Sequence, residues 1–220
     1  MKITDQLHAF TWKSTATNNC NTYLINGPER ILIDPGHLVH FNHVEQGLED
    51  IGISLDEIEL VICTHAHPDH FEGVQALKKT KAKFAMHHKE WYLAKAMGKQ
   101  LSSSGIDLES CTPDFLLREG DFSINGMAFN IYHTPGHSPG SISIFWPEQK
   151  ALFTGDLIFK DGLGRTDLPG GNSQQLKQSI NNLSLLDTDF LLPGHGDVIL
   201  NAKEVKANFE QIKNVWFNYL

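Results

Sequence analysis

Short apolar runs punctuated by glycine, proline and asparagine dominate the chain, and few stretches sustain a helical period. Residues 3–10 ("ITDQLHAF"), 20–26 ("CNTYLIN") and 30–36 ("RILIDPG") alternate or are rich in β-branched side chains, which predicts strands, with "NGPE" turning between the last two. Residues 40–52 read as helix. "IELVICT" is continuously apolar, as a strand buried on both faces would be, and a helix through "GVQALKKT" follows it. "AKFAMHH" predicts a short strand leading into a helix near 88–97, whereas "GKQLSSSGIDLESCTPD" is polar, turn-rich and without period, and reads as a surface loop.

The pattern then recurs. "FSINGMAFNIYHT" predicts two strands joined at Asn125-Gly126, "SISIFW" and "KALFTGD" two more with "PEQ" between them, and "DFLLPGHG" a last strand running into a loop. Asn172 or Ser173 is placed to cap a helix over 173–185, and an amphipathic helix covers about 202–217. No linker-like or low-complexity boundary separates the two sets. The pattern therefore predicts one domain over residues 1–220, built as two sheets packed face to face with helices on the outer faces.

Bulk properties narrow the function. The chain has 220 residues, 40% of them hydrophobic and 20% charged, which suits a globular protein. A net charge of −8 without a basic stripe gives nucleic acid or an anionic membrane no electrostatic support. Residues 1–10 lack the continuous apolar stretch of a signal peptide, and no run approaches the length of a membrane span. Three cysteines without CxxC spacing suggest reduced thiols and a cytoplasmic protein. The residue in excess is histidine, at 12.

Four loops that each follow an apolar strand collect the chemistry. They are His65-Ala66-His67-Pro68-Asp69-His70, then His137 in "TPGHSPG", Asp156 in "LFTGD" and His195 in "LLPGHG". Loops on a rigid sheet edge are where reactive groups concentrate. Five imidazoles and two carboxylates are enough for two metal ions, and these ligand types suit zinc, manganese or iron better than calcium. The other histidines, among them His87, His88 and His133, are expected at the surface or beside a ligand, and His133 is the one best placed to orient one.

HxHxDH, TPGHSPGS, TGD and PGHG, in this order and spacing, resemble the metallo-β-lactamase fold superfamily. "TGDLIF" followed by "GLGRTDLPGG" is more narrowly similar to the small bacterial relatives of glyoxalase II, the hydroxyacylglutathione hydrolases. The resemblance runs from "LIDPG" to the C-terminal helix. It implies an α/β (α+β) fold, an αββα four-layer sandwich of two mixed sheets with the metal site at one edge. It also implies ligand sets: His65, His67 and His137 for a first metal, Asp69, His70 and His195 for a second, and Asp156 as the bridge. Asp34 matches a structural aspartate beneath the site. Arg165, in "GRTD", either pairs with Asp167 or stands at the site mouth.

The reaction this implies is hydrolysis of an acyl bond by hydroxide held between two divalent cations, most plausibly zinc, on a small-molecule thioester of hydroxyacylglutathione type. Asp69 and Asp156 would also orient the hydroxide, and Asp69 is the catalytic carboxylate. A mononuclear iron persulfide dioxygenase on His65, His137 and Asp156 is the alternative, and a lactonase the third. Neither nucleic acid nor membrane is expected as a partner, and a homodimer is left open.

Overall fold

A computed structural model describes all residues, 1–220, and divides into two compact units, Met1–Leu117 with Ile124–Met127, and Arg118–Ser123 with Ala128–Leu220. In the first unit, strands β1 (Leu7–Phe10), β2 (Thr22–Asn26), β3 (Arg30–Ile33), β4 (Leu60–Cys63), β5 (Lys83–His87) and β6 (Phe115–Leu117) form one sheet in chain order. β1, β2 and β3 pair antiparallel, and β3 to β6 pair parallel. Parallel neighbours need crossovers. Here these contain helices α1 (Asn42–Glu49), α2 (Pro68–Phe71), α3 (Val74–Leu77), α4 (His88–Ala96) and α5 (Gly98–Ser103). Leu24, Leu32, Val61 and Phe84 from the strands form one core with Val44, Leu48, Phe71, Val74, Leu77 and Ala94 from the helices.

Two segments differ from the sequence expectation. Residues 98–114 are not simply a surface loop: they contain α5, and Leu101, Ile106 and Cys111 are buried in the core of this unit. The serines and glycine between those anchors hide the period. The helix expected at "GVQALKKT" is only one turn, Val74–Leu77, and a second short helix, Pro68–Phe71, occupies the histidine loop before it, opened by a residue suited to the first helical position. The break falls at Gly73, whose N–H bonds the Gly36 carbonyl at 2.6 Å, and a Cβ there would lie 2.6 Å from the Pro35 carbonyl oxygen.

The remaining elements, which apart from Ile124 and Met127 fall in the second unit, are β7 (Gly120–Ile124), β8 (Met127–His133), β9 (Ile142–Trp146), β10 (Ala151–Gly155), the two-stranded pair β11 (Ile158–Phe159) and β12 (Gly162–Leu163), helix α6 (Ser173–Leu183), β13 (Phe190–Pro193) and helix α7 (Ala202–Asn214). The larger sheet runs β13-β10-β9-β8-β7 and is mixed, because β13 lies parallel to β10 while β9 is antiparallel to both its neighbours. Asn125 and Gly126 both have positive φ, the geometry that lets a two-residue hairpin follow the strand twist. The Asn172 side chain caps α6 by accepting from the Gln175 N–H at 2.9 Å. Leu152 and Leu191 of the sheet share a core with Leu176, Ile180 and Leu183 of α6 and Val205, Phe209 and Ile212 of α7. No helix is long and apolar enough to cross a membrane.

Candidate metal centre

In the first unit, β3 and β4 point the same way, so the residues after each strand meet at one sheet edge. Asp34 follows β3 with φ of +53°, a region that L residues enter only when the surroundings hold them there. Here they do. The buried Asp34 carboxylate accepts the Thr64 N–H at 2.7 Å, the Thr64 hydroxyl at 2.7 Å and the His70 Nδ1–H at 2.9 Å. His65 Nδ1 lies 3.1 Å from the Thr64 hydroxyl oxygen. That hydroxyl already gives its proton to Asp34, so His65 Nδ1 is the donor. One carboxylate thus places the ring proton of both His65 and His70 on Nδ1, which leaves the lone pair on Nε2, the nitrogen a metal takes.

Donor atoms of His65 and His67, of His65 and His70, and of Asp69 and His70 lie within 4.8 Å of one another. Two further residues hold this loop. Asn18 Nδ2 donates to Asp69 Oδ2 at 2.7 Å, and the Ala66 N–H donates to Glu90 Oε2 at 2.9 Å. Glu90 is wholly buried in the first turn of α4.

In the second unit, β8, β10 and β13 run in one direction, and His137, Asp156 and His195 follow their C-terminal ends. Asp156 Oδ2 stands 3.6 Å from His137 Nε2 and 3.4 Å from His195 Nε2. His137 Nδ1 donates to the Arg165 carbonyl at 2.8 Å, so its lone pair also sits on Nε2. His133 Nε2 lies 2.9 Å from the Pro139 carbonyl, which steadies the loop carrying His137. The Gly194 N–H bonds the Gly155 carbonyl at 2.8 Å and ties the His195 loop to the Asp156 loop. Gly164 is required by close approach, because a Cβ there would collide with the Asp156 carbonyl oxygen.

Arg165 takes the pairing alternative: its guanidinium grips Asp167 through two bonds of 2.7 and 2.6 Å on the exposed surface. That grip holds the Asp167 carboxyl down at about 2. Only the backbone of Arg165 serves the site. His87 is buried at the end of β5 and not at the surface. Asn18, Thr64 and Glu90 were not singled out from the sequence. Glu90 has one signal in retrospect, since it shares the buried face of α4 with Ala94 four residues on.

The donors fit divalent cations. They are carboxylate oxygens and imidazole nitrogens, three of which (His65, His70 and His137) keep the lone pair on Nε2, while Cys20, Cys63 and Cys111 are all buried, and Cys63 and Cys111 are core residues.

Residues 16–195 match the Metallo-beta-lactamase superfamily, and the chain belongs to that family. It is a metallo-hydrolase with the family's fold of two mixed sheets flanked by helices, and its His/Asp clusters suit the divalent metals the fold binds. It is 30% identical over 197 residues to hydroxyacylglutathione hydrolase GloC of Haemophilus influenzae, covering 86% of this chain and 91% of that protein. It is 35% identical over 192 residues to the probable metallo-hydrolase MJ0888 of Methanocaldococcus jannaschii, covering 81% and 88%. Among solved structures, TTHA1623 in a di-iron-bound form superposes with a TM-score of 0.71 at 28% identity, over 86% of this chain and 93% of that one.

Proposed function

We propose that the two sets of donors jointly hold two divalent cations and that the chain hydrolyses a thioester of hydroxyacylglutathione type. His65, His67 and His137 take the first cation, Asp69, His70 and His195 the second, and Asp156 bridges them. The observation that carries this reading is the position of Asp156 Oδ2 between the Nε2 atoms of His137 and His195, at 3.6 and 3.4 Å. One carboxylate facing two imidazoles assigned to different cations is what a bridge requires.

When bound, the two cations would lower the pKa of a shared water and polarise the acyl carbonyl. The chain's own residues do the rest. Asp34 and Thr64 keep His65 and His70 in the tautomer that ligates, and the Arg165 carbonyl does the same for His137. Asp69 accepts the proton of the attacking water and returns it to the sulfur as the carbon–sulfur bond breaks, so the products are a carboxylic acid and a thiol. Zinc suits this donor set, and the similarity to GloC supports a glutathione thioester as the substrate.

The test is a paired assay on the metal-loaded protein: hydrolysis of lactoylglutathione, and oxygen consumption with glutathione persulfide. Thioester hydrolysis without oxygen uptake is the expected result. Oxygen uptake with the persulfide, on a single iron, would replace the hydrolase with a dioxygenase.

A further inference from the structure

We infer that Asn18 is a positioning residue for Asp69, and that its amide donor sets how tightly the second cation is held. This rests on the dinuclear reading above. It arises from residues 11–21, which join β1 to β2 and which no motif marks as chemical.

Consecutive residues of that segment, "NNCN", each make a specific bond. Asn18 Nδ2 donates to Asp69 Oδ2 at 2.7 Å, Asn19 Oδ1 accepts the His37 N–H at 2.7 Å, the Cys20 thiol donates to the Asp34 carbonyl at 3.4 Å, and Asn21 Oδ1 accepts the Trp12 N–H at 2.9 Å. The Trp12 indole N–H closes the other end of the segment on the Thr17 carbonyl at 2.9 Å, and its ring stacks on His40 at 4.8 Å between centroids. The segment is exposed from Lys13 to Asn18, yet its far end is fastened to the residues around Asp34. Asn18 is thereby delivered to Asp69 from a frame and not from a free loop.

The bond has a chemical consequence. A carboxylate oxygen carries two lone pairs, and a donor on one of them fixes the rotation of the group so that the other can face a cation. Asp69 Oδ2 is the oxygen that faces His70 Nε2, at 3.9 Å, and it is the oxygen Asn18 holds. An amide does this without adding charge, so the cation's attraction to Asp69 is undiminished. An apolar side chain of the same size would remove this bond and its share of the restraint on the carboxylate.

The test measures zinc affinity of the whole chain by competition with a chromophoric chelator, in wild type, Asn18→Leu and Asn18→Gln. Asn18→Leu should weaken the second zinc by about 10–100-fold, the range typical of a lost outer partner, and lower kcat with KM nearly unchanged. The unfolding midpoint of the metal-free protein should not move, because Asn18 is exposed. Asn18→Gln, which offers the same donor from an exposed segment able to shift, should recover most of the loss. Equal losses in the leucine and glutamine variants would mean that segment shape and not the donor matters, and would overturn the inference. So would an Asn18→Leu protein that binds two zincs as tightly as wild type. A wild-type chain holding only one zinc would overturn the dinuclear reading as well, which separates the two failures.

Discussion

His70 gives its Nδ1 proton to Asp34 Oδ2 at 2.9 Å, and the same oxygen accepts the Thr64 hydroxyl that receives His65 Nδ1. Two imidazoles assigned to different cations therefore share one anchor. Asp34→Asn, which keeps the shape and tolerates positive φ, should fold and lose about 10–100-fold in metal affinity. Asp34→Ala should lose stability as well, because two buried N–H donors and a hydroxyl are left without their acceptor. Metal titration beside denaturant unfolding separates the two effects, and an Asp34→Asn protein with unchanged affinity would count against the shared anchor.

Glu90 makes a second, independent prediction. It is wholly buried and accepts the Ala66 N–H in the middle of the HxHxDH loop. Glu90→Leu should destabilise the fold by about 1–3 kcal/mol through the unsatisfied amide, and Glu90→Gln, which keeps an acceptor, by clearly less. Equal unfolding midpoints for the two variants would contradict this role.

The chemistry was more legible in the sequence than the scaffold that aims it. HxHxDH, His137, Asp156 and His195 follow strands whose apolar runs are easy to read, so the strand-to-loop junctions stood out. Asn18 and Glu90 stand 51 and 24 residues from their partners, and apart from the spacing of Glu90 and Ala94 on α4 nothing local in the chain marks them. Strand β6 and the pair β11 and β12 are too short to show a period and exist only through their partners. Helix α5 was hidden because serines separate its core anchor Leu101 from Ile106 and Cys111.

Gly164 links the two kinds of information, being a glycine for a reason visible only in three dimensions. Gly164→Ala forces a Cβ against the Asp156 carbonyl. Overpacking of this kind costs about 1–3 kcal/mol, and the strain falls on the backbone of Asp156. The variant should remain folded while losing more metal affinity than stability. Undiminished metal binding would show that the Asp156 loop can yield.

Burial pushes the Cys111 thiol up to about 12, with the nearby Asp107 and Glu72 charges adding to the effect. A thiol whose pKa is raised by folding contributes its full stability below its unfolded value, and that contribution is lost as the pH rises toward the folded value. Unfolding midpoints measured from pH 8 to about pH 11 should therefore fall less steeply in Cys111→Ala than in wild type, since an unfolded thiol ionises near 8.5. Parallel curves would refute the assignment.

Whether Asp156 bridges two cations can be read from the number of metals each chain holds. Elemental analysis of protein purified from its own host should give two equivalents of divalent metal per chain, and one or none in Asp156→Ala with the fold retained. A single equivalent of iron in the wild type, tightly held, would contradict the dinuclear hydrolase.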